Sequence, residues 1–223
     1  MHFPQDSAQP WIKVCGITLK KDADCCAAAG VSAIGINFFP KSKRYIPLHE
    51  ALEWLPAGSG GPMLVALFVN ASLATIQATV DSGRFHAIQL HGDESPEFLT
   101  ETKHMGLPVL RALALRSDAD LVKLERFAAD AYILDAHAPG TFGGTGMLSD
   151  WSLAAAAVQR FPEKTLILSG GITAENAAKA LADVRPHGLD LASGVETAPG
   201  RKDPALIRSL MEAVKVSGAP VRA

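Results

Sequence analysis

Short β-branched or apolar runs alternate along the whole chain with alanine-rich segments in which apolar residues recur at helical spacing. This alternation is typical of strand–helix units built around a parallel sheet. We predict strands at residues 11–14, 33–38, 64–69, 87–90, 109–112, 131–134, 165–168 and 188–191. We predict helices at residues 20–29, 48–55, 73–82, 96–103, 119–127, 152–160, 175–182 and 204–216. Eight such pairs indicate an α/β protein that forms a single-domain (β/α)8 TIM barrel, a fold of about 250 residues.

The main alternative is a doubly wound open sheet. That fold normally carries a glycine-rich dinucleotide fingerprint after the first strand, whereas the turn after Val14 reads Cys15-Gly16-Ile17-Thr18 here. We therefore favour the barrel and place it at residues 11–217. Residues 1–10 are interpreted as an N-terminal extension and residues 218–223 as a loose C-terminal tail, because chain ends are commonly poorly ordered.

Composition and charge exclude several classes of protein. The 223 residues include 21 lysines and arginines and 23 aspartates and glutamates, so no nucleic-acid or anionic membrane partner is expected. No apolar run reaches the roughly 18 residues needed to span a bilayer, and the start of the chain lacks the pattern of a secretory signal. Three cysteines, two of them adjacent at Cys25 and Cys26, do not suggest a disulfide framework. We therefore expect a cytoplasmic protein.

In a (β/α)8 barrel the chemistry is carried out at the carboxyl ends of the strands. Cys15 ends the first strand, and its thiol is expected to be either a small buried apolar group or a base that works as the thiolate. Asp135 ends the sixth strand, and its carboxylate either faces the barrel mouth or caps a turn. Because these two strands lie on opposite sides of the ring, the two side chains can act on opposite sides of one substrate.

Other polar side chains are predicted at the same end of the barrel. The basic cluster Lys41-Ser42-Lys43-Arg44 follows the second strand, and it is either solvated surface or a site at which Arg44 binds a planar carboxylate. Gln89 and His91 lie at the end of the fourth strand. No pair of histidines, cysteines or carboxylates has metal-ligand spacing, so no metal site is expected.

Glycine-rich loops follow the last three strands. Ser169-Gly170-Gly171 follows the seventh strand and Ser193-Gly194 follows the eighth, the two places where such barrels bind a phosphate group through backbone N–H groups. Phe142-Gly143-Gly144-Thr145-Gly146 lies in the long loop after the sixth strand. Its glycines either let the backbone approach a ligand, let a lid move, or make a flexible crossing.

These residues resemble one known family, the phosphoribosylanthranilate isomerases of the tryptophan pathway. The matching motifs run in order over about residues 11–215, nearly the whole chain. They are Lys13-Val14-Cys15-Gly16-Ile17-Thr18, Phe39-Pro40-Lys41-Ser42-Lys43-Arg44-Tyr45, Gln89-Leu90-His91-Gly92, Leu134-Asp135, Gly143-Gly144-Thr145-Gly146, Asp150-Trp151, Ser169-Gly170-Gly171 and Asp190-Leu191-Ala192-Ser193-Gly194-Val195-Glu196. Ala192 departs from the serine that is common in the family at that position.

The resemblance implies a cofactor-free Amadori rearrangement of a small phosphosugar by a monomer or a homodimer. It implies that Cys15 is the general base, that Asp135 is the general acid and that Arg44 binds the anthranilate carboxylate. Gln89, His91 and Asp190 are expected to contact the substrate. The expected phosphate-binding residues are Gly144, Gly170, Gly171, Ser193 and Gly194.

Three other functions were weighed against this one. The histidine-pathway isomerase that performs the same rearrangement on a different amine resembles the chain less, because it has a carboxylate after the first strand where Cys15 stands. A barrel that binds phosphate without catalysis is disfavoured because both Cys15 and Asp135 are present. A redox thiol protein would need a second cysteine near Cys15, but Cys25 and Cys26 are expected on a helix that faces outward.

Overall fold

The computed structural model describes residues 3, 9–57, 60–135 and 151–216. Eight parallel strands form a closed barrel in chain order, with β1 paired to both β2 and β8. The strands are β1 Trp11–Cys15, β2 Ala33–Asn37, β3 Met63–Phe68, β4 Ala87–Leu90, β5 Val109–Ala114, β6 Ala131–Asp135, β7 Leu166–Ser169 and β8 Gly188–Leu191. The predicted (β/α)8 barrel is confirmed.

The helices pack around the outside of the barrel. They are α1 Lys20–Ala29, α2 Leu48–Leu52, α3 Leu73–Asp81, α4 Pro96–Lys103, α5 Val122–Arg126, α6 Ser152–Arg160, α7 Ala174–Val184 and α8 Pro204–Val216. The second helix is shorter than predicted, and the fifth begins with the 3₁₀ turn Asp118–Leu121. Among the described helices, none is long and apolar enough to cross a membrane.

A small antiparallel hairpin follows β8 and was not predicted. It consists of β9 Glu196–Ala198 and β10 Arg201–Lys202, preceded by the 3₁₀ turn Ser193–Val195. Strands of three and two residues are too short for an alternating pattern of apolar and polar residues to be recognised. The hairpin places Glu196 and Lys202 side by side as a cross-strand pair at the mouth of the barrel.

The barrel interior changes from apolar at the amino ends of the strands to polar at their carboxyl ends. At the amino end, Phe3 packs edge-to-face on Trp11 with ring centroids 5.9 Å apart, so one residue of the predicted N-terminal extension covers the bottom of the barrel. Higher up, Lys13, Gln89 and Asp190 are all buried. Buried polar groups are retained where they bind one another, and here they lie directly beneath the mouth.

The two adjacent cysteines on α1 point to different faces of the helix, as expected for neighbouring helical residues, and only Cys26 faces the core. Cys25 is half-buried, but Cys26 is completely buried in the core between the barrel and its helices. Burial, followed by the neighbouring Cys25, raises the pKa of the Cys26 thiol to about 12. Because only the thiolate is reactive, Cys26 acts as a packing residue.

Candidate active site

A cavity of about 700 Å³ opens at the carboxyl ends of the strands. Its walls bring together most of the residues predicted from the sequence, namely Cys15, Arg44, His91, Asp135, Gly170, Gly171, Asp190 and Ser193. Cys15 and Asp135 end β1 and β6 respectively, so they approach the cavity from well-separated strands. Gln89 and Gly194 are not part of the cavity wall, and Gly144 lies outside the described residues.

Cys15 has room for its thiol because its neighbour across the sheet is a glycine. Cys15 pairs in register with Gly35 on β2, and only 8% of its surface is exposed. A Cβ atom at Gly35 would lie 2.7 Å from Cys15 Sγ and 3.2 Å from Lys13 Cε. Gly35 therefore makes the space in which these two side chains meet. The sequence analysis did not single out this glycine.

Lys13 lies one layer below Cys15 and forms a buried ion pair with Asp190. The two residues are register partners on β1 and β8, and Lys13 Nζ lies 2.8 Å from Asp190 Oδ1. Burial works against the charged lysine, but the electrostatic and hydrogen-bonding interactions with Asp190 and then Cys15 outweigh it and raise the pKa of Lys13. The ammonium group of Lys13 therefore lies beneath the Cys15 side chain, and one Asp190 oxygen binds it.

Arg44 reaches the cavity from the loop after β2 and is held by Glu196. Its Nε lies 2.9 Å from Glu196 Oε1, and its Nη2 lies 2.6 Å from Oε2. This two-pronged pairing fixes the plane of the guanidinium group. Glu196 belongs to the final motif of the family resemblance, but the sequence analysis gave it no role. A buried carboxylate close in space to Arg44 could not be predicted without the hairpin.

His91 follows β4 and lines the cavity together with Asp135, and its side chain is exposed there. Partial loss of water around the ring lowers the pKa of His91, and the nearby Asp135 and Asp190 offset this only in part, so the ring is neutral near pH 7. Gln89 Nε2 lies 3.0 Å from His91 Nδ1, and Gln89 itself is completely buried. The structure corrects the predicted position of Gln89, because this side chain lies behind His91 and supports it instead of lining the cavity.

The two phosphate loops predicted after β7 and β8 lie against each other. Gly170 and Gly171 line the cavity beside Ser193. Gly194 contributes differently, since a Cβ atom there would lie 1.9 Å from the Ile172 carbonyl oxygen. A side chain at that position would push the two loops apart, so Gly194 allows the close approach that brings both loops to one side of the mouth. Across the described parts of the chain, no group of three or more histidines, cysteines or carboxylates is arranged to hold a metal ion.

A closed (β/α)8 barrel with a cysteine, an aspartate and two glycine loops around one cavity belongs to the class of barrel enzymes whose active site lies at the carboxyl ends of the strands. The family model described as N-(5'phosphoribosyl)anthranilate (PRA) isomerase matches residues 12–213. The chain therefore belongs to the N-(5'-phosphoribosyl)anthranilate isomerase family.

Individual relatives agree with this assignment. The chain is 40% identical over 206 residues to the N-(5'-phosphoribosyl)anthranilate isomerase of Geotalea uraniireducens, covering 92% of this chain and 98% of that relative. A structure of monomers generated from the dimeric isomerase of Thermotoga maritima superposes with a TM-score of 0.80 at 31% identity, covering 93% and 99% of the two chains. A structure of a phosphoribosyl anthranilate isomerase in complex with reduced 1-(o-carboxyphenylamino)-1-deoxyribulose 5-phosphate gives a TM-score of 0.79 at 32% identity over the same shares.

Proposed function

We propose that this chain converts N-(5'-phosphoribosyl)anthranilate to 1-(2-carboxyphenylamino)-1-deoxyribulose 5-phosphate in tryptophan biosynthesis. The observation that carries the proposal is that Cys15 and Asp135, from strands on different sides of the barrel, line one cavity together with Arg44 and the glycine loops. Membership of the family supports the identity of the substrate, and the residues that line the cavity support acid–base catalysis. The rearrangement balances internally, because the carbon that gains hydrogen and the carbon that loses it belong to the same sugar.

The reaction needs an acid and a base that do not compete for one face of the substrate. In the proposed mechanism Asp135 donates a proton to the ring oxygen of the aminofuranose, and the ring opens to a Schiff base. Cys15, as the thiolate, then removes the proton from C2′ of the sugar, and the electrons move towards the protonated nitrogen to give the enolamine. The enolamine becomes the ketone when C1′ gains a proton and the 2′-hydroxyl group loses one. The positions of Asp135 and Cys15 on different walls of the cavity suit these two separate transfers.

The remaining groups of the cavity suit the two ends of the substrate. Arg44 presents its guanidinium group in a fixed plane, which matches the carboxylate of the anthranilate ring. Gly170, Gly171 and Ser193 line the side where the phosphate is expected, and Gly194 allows that side to form. His91 and Asp190, the latter paired with the buried Lys13, line the part of the cavity between these two ends, where the sugar is expected.

We also propose an oligomeric state and a location in the cell. Relatives of this chain include a dimeric isomerase from which monomers were generated, and we propose that this chain is either a monomer or a homodimer. The proposed substrate is a metabolite of tryptophan biosynthesis. We therefore propose that it works in the cytoplasm.

The test is a fluorescence assay of the purified protein. Phosphoribosylanthranilate is generated in the cuvette, and the loss of anthranilate-type fluorescence is followed with the wild-type chain and with Cys15→Ser. The proposal predicts rapid decay with the wild type and only the spontaneous rate with the variant. Wild-type decay no faster than the spontaneous background would refute it, and the histidine-pathway substrate would then be tried.

A further inference from the structure

Lys202 is a buried lysine outside the eight barrel strands, and its ammonium group reaches the end of β1. Its side chain is 1% exposed. Its Nζ atom donates to the Cys15 carbonyl oxygen at 2.6 Å, to the Ala192 carbonyl oxygen at 3.1 Å and to Glu196 Oε1 at 2.7 Å. These three acceptors match the three donors of an ammonium group. One side chain thus ties together the ends of β1 and β8, where the barrel closes.

Glu196 connects this lysine to Arg44. Its carboxylate is 3% exposed and accepts hydrogen bonds from Arg44, from Lys202 and from the Gly200 backbone N–H at 3.1 Å. Burial would raise the pKa of Glu196, but the hydrogen bonds from Arg44 and then Lys202 outweigh it and lower the pKa. The carboxylate is therefore ionised, and it holds two cations in place on one side of the cavity.

Basic side chains outnumber the carboxylates paired with them around Cys15. Three basic side chains, Lys13, Arg44 and Lys202, interact electrostatically with Cys15. Two carboxylates are paired with them, Asp190 with Lys13 and Glu196 with the other two. Burial lowers the pKa of Lys202, and the hydrogen bond and charge of Glu196 oppose this effect.

Other titratable groups also lie around Cys15. Asp135, Lys43 and neutral His91 line the same cavity. Asp22 on α1 accepts from the backbone N–H of Lys202 at 3.0 Å, which anchors the hairpin, but it does not bind the ammonium group. Lys202 therefore binds the Cys15 backbone directly and shares Glu196 with Arg44.

We propose that Lys202 is a positioning residue, which fixes the Cys15 backbone and favours the Cys15 thiolate, and that Glu196 couples this lysine to Arg44. The proposal deepens the function proposed above and rests on the roles given there to Cys15 and Arg44. Through Glu196 and Lys202, the hairpin β9–β10 contributes to the reaction.

The test measures alkylation of Cys15 by iodoacetamide as a function of pH, without substrate. Peptide mapping separates Cys15 from Cys25 and Cys26, because Lys20 and Lys21 lie between them. Lys202→Met removes one nearby cation, and we expect the pH midpoint of Cys15 alkylation to rise by about one unit, the lower end of the effect of a neighbouring opposite charge. The half-buried Cys25 serves as the internal control, and its midpoint should stay constant.

Glu196→Gln provides the opposite perturbation and guards against a variant that fails to fold. This nearly isosteric change removes an anion while both cations remain, so we expect the midpoint of Cys15 alkylation to fall. A role in structure alone would not produce shifts of opposite sign. If Lys202→Met does not fold, the direction of the shift in Glu196→Gln decides the question by itself. A constant midpoint in folded Lys202→Met, or a constant or raised midpoint in Glu196→Gln, would overturn the proposal.

A second readout separates this proposal from the proposed function. In both variants the acid limb of the pH profile of kcat/KM should move with the alkylation midpoint, and KM should rise in Glu196→Gln because Arg44 loses its partner. If alkylation shifts as expected while the rate profile does not, the positioning role stands and the role of Cys15 as base fails. If alkylation does not shift while Cys15→Ser remains inactive, the positioning role fails and the function stands.

Discussion

Replacing Gly35 by alanine tests whether the space around Cys15 is required. The backbone of Gly35 is not in the left-handed region, so the added methyl group acts only through contact. Its carbon would lie 2.7 Å from Cys15 Sγ and 3.2 Å from the Cys15 Cα atom, whereas such atoms normally approach to about 3.5–4.0 Å. The thiol must therefore move by about 1 Å, away from the position it holds above Lys13.

The expected consequence is large for activity and moderate for stability. A misplacement of about 1 Å in a catalytic group can cost on the order of 10²-fold in rate, and one extra methyl group in a packed interior costs about 1–3 kcal/mol. For a domain of this size we expect Tm to fall by roughly 2–4 °C per kcal/mol. The assays are kcat/KM from the fluorescence decay and thermal unfolding followed by circular dichroism.

Gly60→Ala is the matched control. Gly60 also lacks a positive φ, and a Cβ atom there would meet nothing within 4 Å. We expect it to retain wild-type rate and Tm. If Gly35→Ala also retained wild-type kcat/KM and Tm, the packing argument around Cys15 would be refuted.

Three further predictions concern the charged groups of the cavity. Arg44→Ala should raise KM at least about tenfold with kcat less affected, since a hydrogen bond to a charged group contributes about 1.5–3 kcal/mol. An unchanged KM would count against the contact between Arg44 and the carboxylate of the substrate. Lys13→Met leaves Asp190 buried without its cation, so the free energy of unfolding measured in urea should fall by about 3–5 kcal/mol. The control Lys179→Met removes the cation of an exposed pair, and its free energy of unfolding should fall by under about 1 kcal/mol. Equal losses in the two variants would contradict the account. The pKa of His91 lies below its ordinary 6.5, so the unfolded chain gains this proton first as the pH falls, and stability is lost below about pH 6.5. The loss is small, because the His91 side chain is exposed at the cavity. His91→Asn should flatten that decline, and an unaltered slope of unfolding free energy against pH would show that His91 does not contribute.

The fold could be predicted because each strand and helix of a parallel barrel carries its own local signal. A run such as Met63–Phe68 is buried along its whole length, and α4 begins at the predicted Pro96, directly after its capping residue Ser95. The ends of elements were less predictable. The fifth helix starts as the 3₁₀ turn Asp118–Leu121, because a capping interaction at Ser117 decides the local geometry.

The candidate site could be predicted only where strand order alone brings residues together. Cys15 and Asp135 end strands of known position in the ring, and both line the cavity. The contact of Arg44 with Glu196 could not be predicted in the same way, because it depends on a hairpin of two short strands. Gln89 lies below the cavity wall, since the alternation of side chains in β4 directs it into the barrel one layer below His91.

The most direct test of the central claim is a comparison of kcat and KM for the wild type, Cys15→Ser and Asp135→Asn with phosphoribosylanthranilate as substrate. General acid or base catalysis typically contributes about 10²–10⁴-fold, so each variant should lose that much in kcat while KM stays within a few-fold of the wild-type value. Folding of both variants is checked by circular dichroism. A kcat near that of the wild type in either variant would contradict the role assigned to that residue, and near-normal values in both would contradict the account as a whole.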